Sequence, residues 1–271
     1  MKKNNQPIRI RFPIWSDVTF KEVFSNEKVT KAFLESLLEI KIRYLVFLNA
    51  EQEIRTSPDG RKDHLDILAI DENDVVYNIE MQGSHLEVIP YRYRATGSGL
   101  DVKLIPKGTK TNELKKIQRR YVIYICRDDP FGQDLRQYTI FNTIQQTGKR
   151  VDDKTALICL NASGTKGIVP VDIKAFLDYV KSGIDDERNA FVHMIHQKVV
   201  KLNSDENFVR YGMTVEQKIA DGHAYGKEEG LDEGIQGTVN ILRGCGFTDK
   251  QIIEKICNEY HLNTEQAKEY L

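Results

Sequence analysis

The spacing of apolar residues divides the chain into alternating helical and extended segments. Residues 17–40 carry a 3.6-residue stripe of Val18, Phe20, Val23 and Phe24, broken at Asn26 and resumed by Phe33, Leu34, Leu37 and Leu38. Asp17 can cap its start. Tyr44–Leu48 reads as a strand, and Thr56–Gly60 (TSPDG) as a turn cluster. Two strands, His64–Ile70 and Val75–Gln82, flank the polar connection Asp71–Asp74. Residues 90–104 begin as a helix that Gly97 and Gly99 weaken, and residues 104–112 form a Pro/Gly/Lys loop. Tyr121–Cys126, Tyr138–Thr143 and Thr155–Leu160 are further strands, and Ile173–Val180 is a helix ending before Gly183.

Beyond Gly183 the composition changes. Asp185–Leu202 is one amphipathic helix stopped at Asn203. Gly222, Gly226, Gly230 and Gly234 then recur every fourth residue among Lys227, Glu228, Glu229, Asp232 and Glu233. Each glycine costs a helix about 1 kcal/mol, which suits a hydrophilic linker. The alternative is a helix with one smooth face for packing against another chain. Gly244 and Gly246 close the preceding helix, and Thr248 with Gln251 and Asn263 with Gln266 make two capping boxes. The expected regions are 1–183, a helical and glycine-punctuated linker over 184–236, and a small helical tail over 237–271. The tail region 221–271 holds ten acids and five Lys/Arg, so a partner-binding or dimerising role fits it better than DNA binding.

The two central strands carry candidate chemistry. Strand side chains alternate faces, so Val75, Tyr77, Ile79 and Met81 share one face, and Asn78, Glu80 and Gln82 the other. If Asp71 pairs with Val75, then Leu65, Ile67 and Ala69 join the apolar set and Asp66 stands opposite Glu80. A one-residue slip would mix the faces, so burial selects this register. Facing carboxylates repel, with Cβ atoms about 4.5–5.5 Å apart. They call for a cation, a shared proton or plain solvent.

Composition and charge narrow the class. With 271 residues, 40% of them hydrophobic, the chain can bury a sizeable core, and its net charge of −1 excludes a uniformly basic nucleic-acid coat protein. No apolar run reaches the roughly 18 residues of a membrane span, and the basic start has no apolar stretch after it, so no signal peptide is expected. Cys126, Cys159, Cys245 and Cys257 form no CxxC pair, which fits a reducing cytoplasm. Residues 51–90 hold ten acids and three Lys/Arg, whereas residues 92–120 hold nine Lys/Arg and two acids. Such adjacent blocks suit a site in which carboxylates hold a cation and basic groups hold phosphates, or equally a solvated surface of mixed charge. His193 and His196 share a helix face, but their apolar neighbours Phe191, Val192, Met194 and Ile195 point to packing.

The phrases Asp66-Ile67-Leu68 and Ile79-Glu80-Met81-Gln82 resemble the PD-(D/E)XK nuclease superfamily, and more narrowly its recombination-promoting nuclease (Rpn) family. Matching phrases are Asp17–Phe24 (DVTFKEVF), Ile125–Gly132 (ICRDDPFG) and Ala175–Tyr179 (AFLDY), and the likeness spans roughly 12–236. The resemblance implies an α/β fold: a restriction-endonuclease-like core, with a mixed central sheet flanked by helices and a C-terminal helical extension. It implies a metal-dependent DNA endonuclease linked to recombination or mobile elements. Asp66 and Glu80 would hold Mg²⁺ or Mn²⁺ with the Met81 carbonyl, and Gln82, at the place of the motif lysine, would orient the attacking water. Asp17, as a further acid or only a helix cap, and Lys21 would be accessory. Arg92, Arg94, Lys115, Lys116, Arg119 and Arg120 would hold DNA with weak sequence preference, and the C-terminal region would form a homodimer. Family members read Arg-x-Arg-Tyr-Tyr-Gln where this chain has Arg92-Tyr93-Arg94-Ala95-Thr96-Gly97. That departure keeps a second reading open, a decayed nuclease fold acting in DNA binding or assembly.

Overall fold

The structure, a computed structural model, describes residues 10–48, 54–55, 62–63, 65–83 and 86–271. The expected turn over Thr56–Gly60, the basic start and His64 lie outside the described residues. Two compact units divide the chain at residues 209 and 210.

The first unit is built on a six-stranded sheet of order β1-β4-β5-β6-β8-β7. The strands are β1 (Leu45–Leu48), β4 (Ile67–Asp71), β5 (Val76–Gln82), β6 (Arg120–Cys126), β7 (Gln137–Ile140) and β8 (Thr155–Asn161). A separate hairpin pairs β2 (Ile54–Arg55) with β3 (Lys62–Asp63). β5, β6 and β8 run parallel, while β4 and β1 on one side and β7 on the other run antiparallel. β6 and β8 read as near-continuous apolar runs because both of their faces are covered.

One face packs against α1 (Asp17–Phe24), α2 (Glu27–Leu38), α4 (Val171–Ser182) and α5 (Ala190–Asn203), around Phe20, Phe24, Phe33, Phe176 and Ile195. The other face packs against Ile89 and Leu100 of α3 (Ile89–Leu104). α5 therefore belongs to the core of the first unit, although its sequence grouped it with the linker. Its last residue, Asn203, accepts the backbone N–H groups of Arg11 and Phe12, both at 2.8 Å. The break at Asn26 is a helix start: its side chain accepts the Val29 N–H as the N-cap of α2.

α6 (Glu206–Gly244) is one continuous 39-residue helix, so the four glycines do not interrupt it. In the second unit its C-terminal part packs with α7 (Asp249–Tyr260) and α8 (Thr264–Lys268) around Ile235, Val239, Ile252, Ile256 and Ala267. Both capping boxes are formed. Among the described residues, no helix is long and apolar enough to cross a membrane.

Candidate active site

The register of β4 and β5 is the one that burial selects: Ile67 pairs with Ile79 and Ala69 with Tyr77. The turn closes with the Asp71 N–H donating to the Val75 carbonyl at 3.1 Å. Asp66, just before β4, thus meets Glu80 near the C-terminal end of β5. The Asp66 N–H donates to Glu80 Oε1 at 3.2 Å, and the Met81 N–H to Asp66 Oδ2 at 3.0 Å. Leu65 departs from the expected face. It precedes the regular strand and packs with Leu68 on the α3 side.

The polar face is not open to solvent. Asn78, Glu80, Gln82 and Asp66 are 0%, 3%, 8% and 6% exposed. This buried polar row is the informative anomaly here, because burying such groups is costly unless they are paired. Cationic groups reach the pair from both sides. From α1, Lys21 Nζ lies 3.2 Å from Asp66 Oδ1 and 3.1 Å from Asp17 Oδ2. From α3, Arg92 lies 3.7 Å from Glu80 Oε2, donates to Gln82 Oε1 and sits 5.7 Å from the centre of the Tyr124 ring. Asp17 makes no cap; Ser16 holds the N-cap position and the Asp17 carboxylate pairs with Lys21.

Burial pushes the Asp66 carboxyl upward, with Lys21 acting against that rise. Burial and then the Asp66 charge push Glu80 up to about 8, with Arg92 opposing. Burial acts against the charge of Lys21, but Asp66 and Asp17 outweigh it and its pKa is raised. With every group ionised, three acids (Asp17, Asp66, Glu80) face two cations (Lys21, Arg92), leaving one negative charge. A divalent cation reverses that sign, and a phosphodiester then neutralises it. The donors are hard carboxylate oxygens, which suit Mg²⁺ held by one or two carboxylates with water and phosphate completing its shell. No group of three or more His, Cys, Asp or Glu gathers as a metal cluster among the described residues, at this site or away from it, so the protein's own donors here are the Asp66–Glu80 pair.

The basic run does not join this site. β5 and β6 are parallel, with Val76 beside Arg120 and Glu80 beside Tyr124. Arg120 therefore lies four residues, about 13 Å, from the level of Glu80, and Lys115, Lys116 and Arg119 lie before it at the same far end of the strands. Arg120 is corrected as a DNA contact. It is 9% exposed, and its Nε and Nη2 donate to Asp101 Oδ1 and Oδ2 at 3.0 and 3.2 Å. A Cβ on Gly97 would meet Arg120 Nη1 at 2.6 Å. The small residue in Ala95-Thr96-Gly97 thus makes room for this guanidinium and not for the acid pair. Arg119 pairs with Asp152 at 3.0 Å, while Lys115, Lys116 and Arg94 are exposed.

Sequence reasoning missed Arg127. It follows β6 directly, its N–H donates to the Gln82 carbonyl at 3.3 Å, and its guanidinium lies 4.5 Å from the centre of the Trp15 ring. Its place one residue past a buried parallel strand was the available signal.

A mixed sheet clasped by helices, with two buried carboxylates at the end of its central strands and cations on either side, defines a restriction-endonuclease-like α/β core. Residues 14–166, more than half of the chain, match the family of PD-(D/E)XK nuclease family transposases, and the chain belongs to that family. No curated protein and no solved structure matches it.

Proposed function

We propose that the chain is a divalent-metal-dependent DNA endonuclease that serves recombination or a mobile element. The observation that carries this reading is the buried Asp66–Glu80 pair, cross-bonded through the backbone N–H groups of Asp66 and Met81 and short of positive charge. Asp66 and Glu80 would hold Mg²⁺ or Mn²⁺, with the Met81 carbonyl as a further oxygen. When bound, the cation polarises the scissile phosphate and lowers the pKa of water. Hydrolysis joins the water oxygen to phosphorus, breaks one phosphorus–oxygen ester bond, and leaves a proton on the departing oxygen. Gln82, steadied by Arg92, orients the water by hydrogen bonding. Asp17 keeps Lys21 at the site.

Arg94 and Arg127 would meet phosphates near the scissile bond, and Lys115, Lys116 and Arg119 phosphates farther along the duplex. Contacts of this kind fix register without reading bases, so sequence preference is weak. The exposed glycine ridge Gly222, Gly226 and Gly230, with open space around each, would pair two copies as a dimer; light scattering of the chain cut after residue 209 checks it. Unpaired cysteines fit a reducing cytoplasm. The test of function is conversion of supercoiled plasmid to nicked circles with Mg²⁺ and its loss in Asp66→Asn.

A second reading, a nuclease fold retained for DNA binding or assembly, draws on Gln82, which carries no charge to stabilise an attacking water. It expects salt-dependent DNA binding with no cutting.

A further inference from the structure

The two cations at the acid pair are held in different ways. Arg92 is fixed: its guanidinium is shared between Gln82 Oε1 and Glu80, beside the Tyr124 ring. Lys21 is not. Its backbone is pinned because Phe20, Val23 and Phe24 of the same helix are buried, but its ammonium sits at the end of a flexible four-carbon stem. That ammonium touches two carboxylates, Asp66 Oδ1 at 3.2 Å and Asp17 Oδ2 at 3.1 Å. The Asp66 carboxylate is buried at the site, whereas Asp17 is one helical turn away on the same helix with its side chain 54% exposed.

A divalent cation and an ammonium on one carboxylate oxygen repel each other. Metal entry at Asp66 therefore favours the departure of Lys21 from Oδ1. Asp17 gives it a place to stay without leaving the site, and the anion that follows the metal gives it a new partner.

Resting on the nuclease reading above, we propose that Lys21 is an exchangeable counter-ion. It neutralises Asp66 in the metal-free protein and passes to a phosphate of the DNA when a divalent cation takes Asp66. Metal and DNA then favour the same displaced position of Lys21, so their binding is positively coupled.

Isothermal titration of Mn²⁺ into the full-length wild type, Lys21→Met and Lys21→Arg tests the exchange. Lys21→Met removes the competitor and should bind Mn²⁺ about tenfold more tightly than the wild type. Lys21→Arg should bind it more weakly, because a planar fork grips a carboxylate with two hydrogen bonds. A structural role for Lys21 does not produce this opposed order, and equal affinities in all three overturn the proposal. If Lys21→Met does not fold, the Arg variant alone decides by its sign. At saturating Mn²⁺, Lys21→Met should nick plasmid about tenfold or more slowly than the wild type. Undiminished nicking overturns the transfer to phosphate. A wild type that never nicks, with the order of affinities intact, removes the nuclease reading and leaves the counter-ion exchange standing.

Discussion

Asp66 and Glu80 are joined through backbone before any cation arrives. Glu80 Oε1 accepts the Asp66 N–H at 3.2 Å, and Asp66 Oδ2 accepts the N–H of Met81, the residue after Glu80, at 3.0 Å. The β4–β5 register fixes Glu80 within the sheet and brings Asp66, the residue just before β4, beside it, where these two backbone bonds hold the pair together.

That placement is costly without a metal. Burial and the Asp66 charge push Glu80 up to about 8, and Gln has the same shape without the charge. Glu80→Gln should therefore melt about 2–4 °C above the wild type in EDTA at pH 8.5, and should gain nothing from Mg²⁺. A melting temperature below the wild type in EDTA would show that the ionised pair carries no penalty.

The far-end basic groups separate into two kinds. Arg120→Ala leaves Asp101 without its bidentate partner and empties the space beside Gly97. It should cost about 1–2 kcal/mol in urea unfolding, since Asp101 is partly open to solvent. Replacing Lys115, Lys116 and Arg119 together should change stability by less than about 1 kcal/mol. In DNA binding, the triple variant should lower the slope of log K against log salt by about 0.9 for each phosphate it no longer neutralises. An unchanged slope rules out a phosphate-binding role for those three.

Gln82→Lys tests the neighbourhood of Arg92. Gln82 Oε1 accepts from Arg92, so an ammonium in its place meets a guanidinium. The variant should be less stable than the wild type without metal by about 1–2 kcal/mol. Equal stability in thermal melts would show that Arg92 moves away freely.

The phrase Asp128-Asp129-Pro130-Phe131-Gly132 is explained by loop architecture. Asp129 accepts the N–H groups of Phe131, Gly132 and Asp134 and the Tyr138 hydroxyl. Burial opposes its charge, but the Tyr138 and backbone hydrogen bonds outweigh it and hold the carboxyl below the usual range. A depressed folded pKa stabilises at neutral pH and loses that contribution as pH falls through the folded value. Asp129→Ala should therefore unfold more easily than the wild type at pH 7, by about 1–2 kcal/mol, and the gap should narrow below about pH 4. A gap that is constant from pH 7 to pH 3 contradicts this.

Much of the central sheet was legible because burial penalises every wrong register. The alternation in Val75–Gln82 was enough to bring Asp66 to Glu80. The same alternation concealed that the polar face is covered, since nothing local in β5 shows that α3 lies over Asn78 and Glu80. α3 itself looked weak as a helix because of Gly97, yet that glycine answers a long-range requirement, the guanidinium of Arg120. Charge counting grouped residues 92–120 as one basic patch. Chain direction separates them, placing Arg92 at the acids and Lys115, Lys116 and Arg119 at the opposite strand ends. Lys21 reaches Asp66 across 45 residues of sequence, a pairing no local pattern encodes.

The central claim is that Asp66 and Glu80 together hold a divalent cation that cuts DNA. The most direct measurement takes wild type, Asp66→Asn and Glu80→Gln from one preparation, and records thermal melts and plasmid nicking with and without Mg²⁺. The account predicts that Mg²⁺ raises the wild-type melting temperature and produces nicked circles. It predicts neither effect in the two variants, although both stay folded. Nicking that persists undiminished in both variants contradicts it and places the chemistry elsewhere.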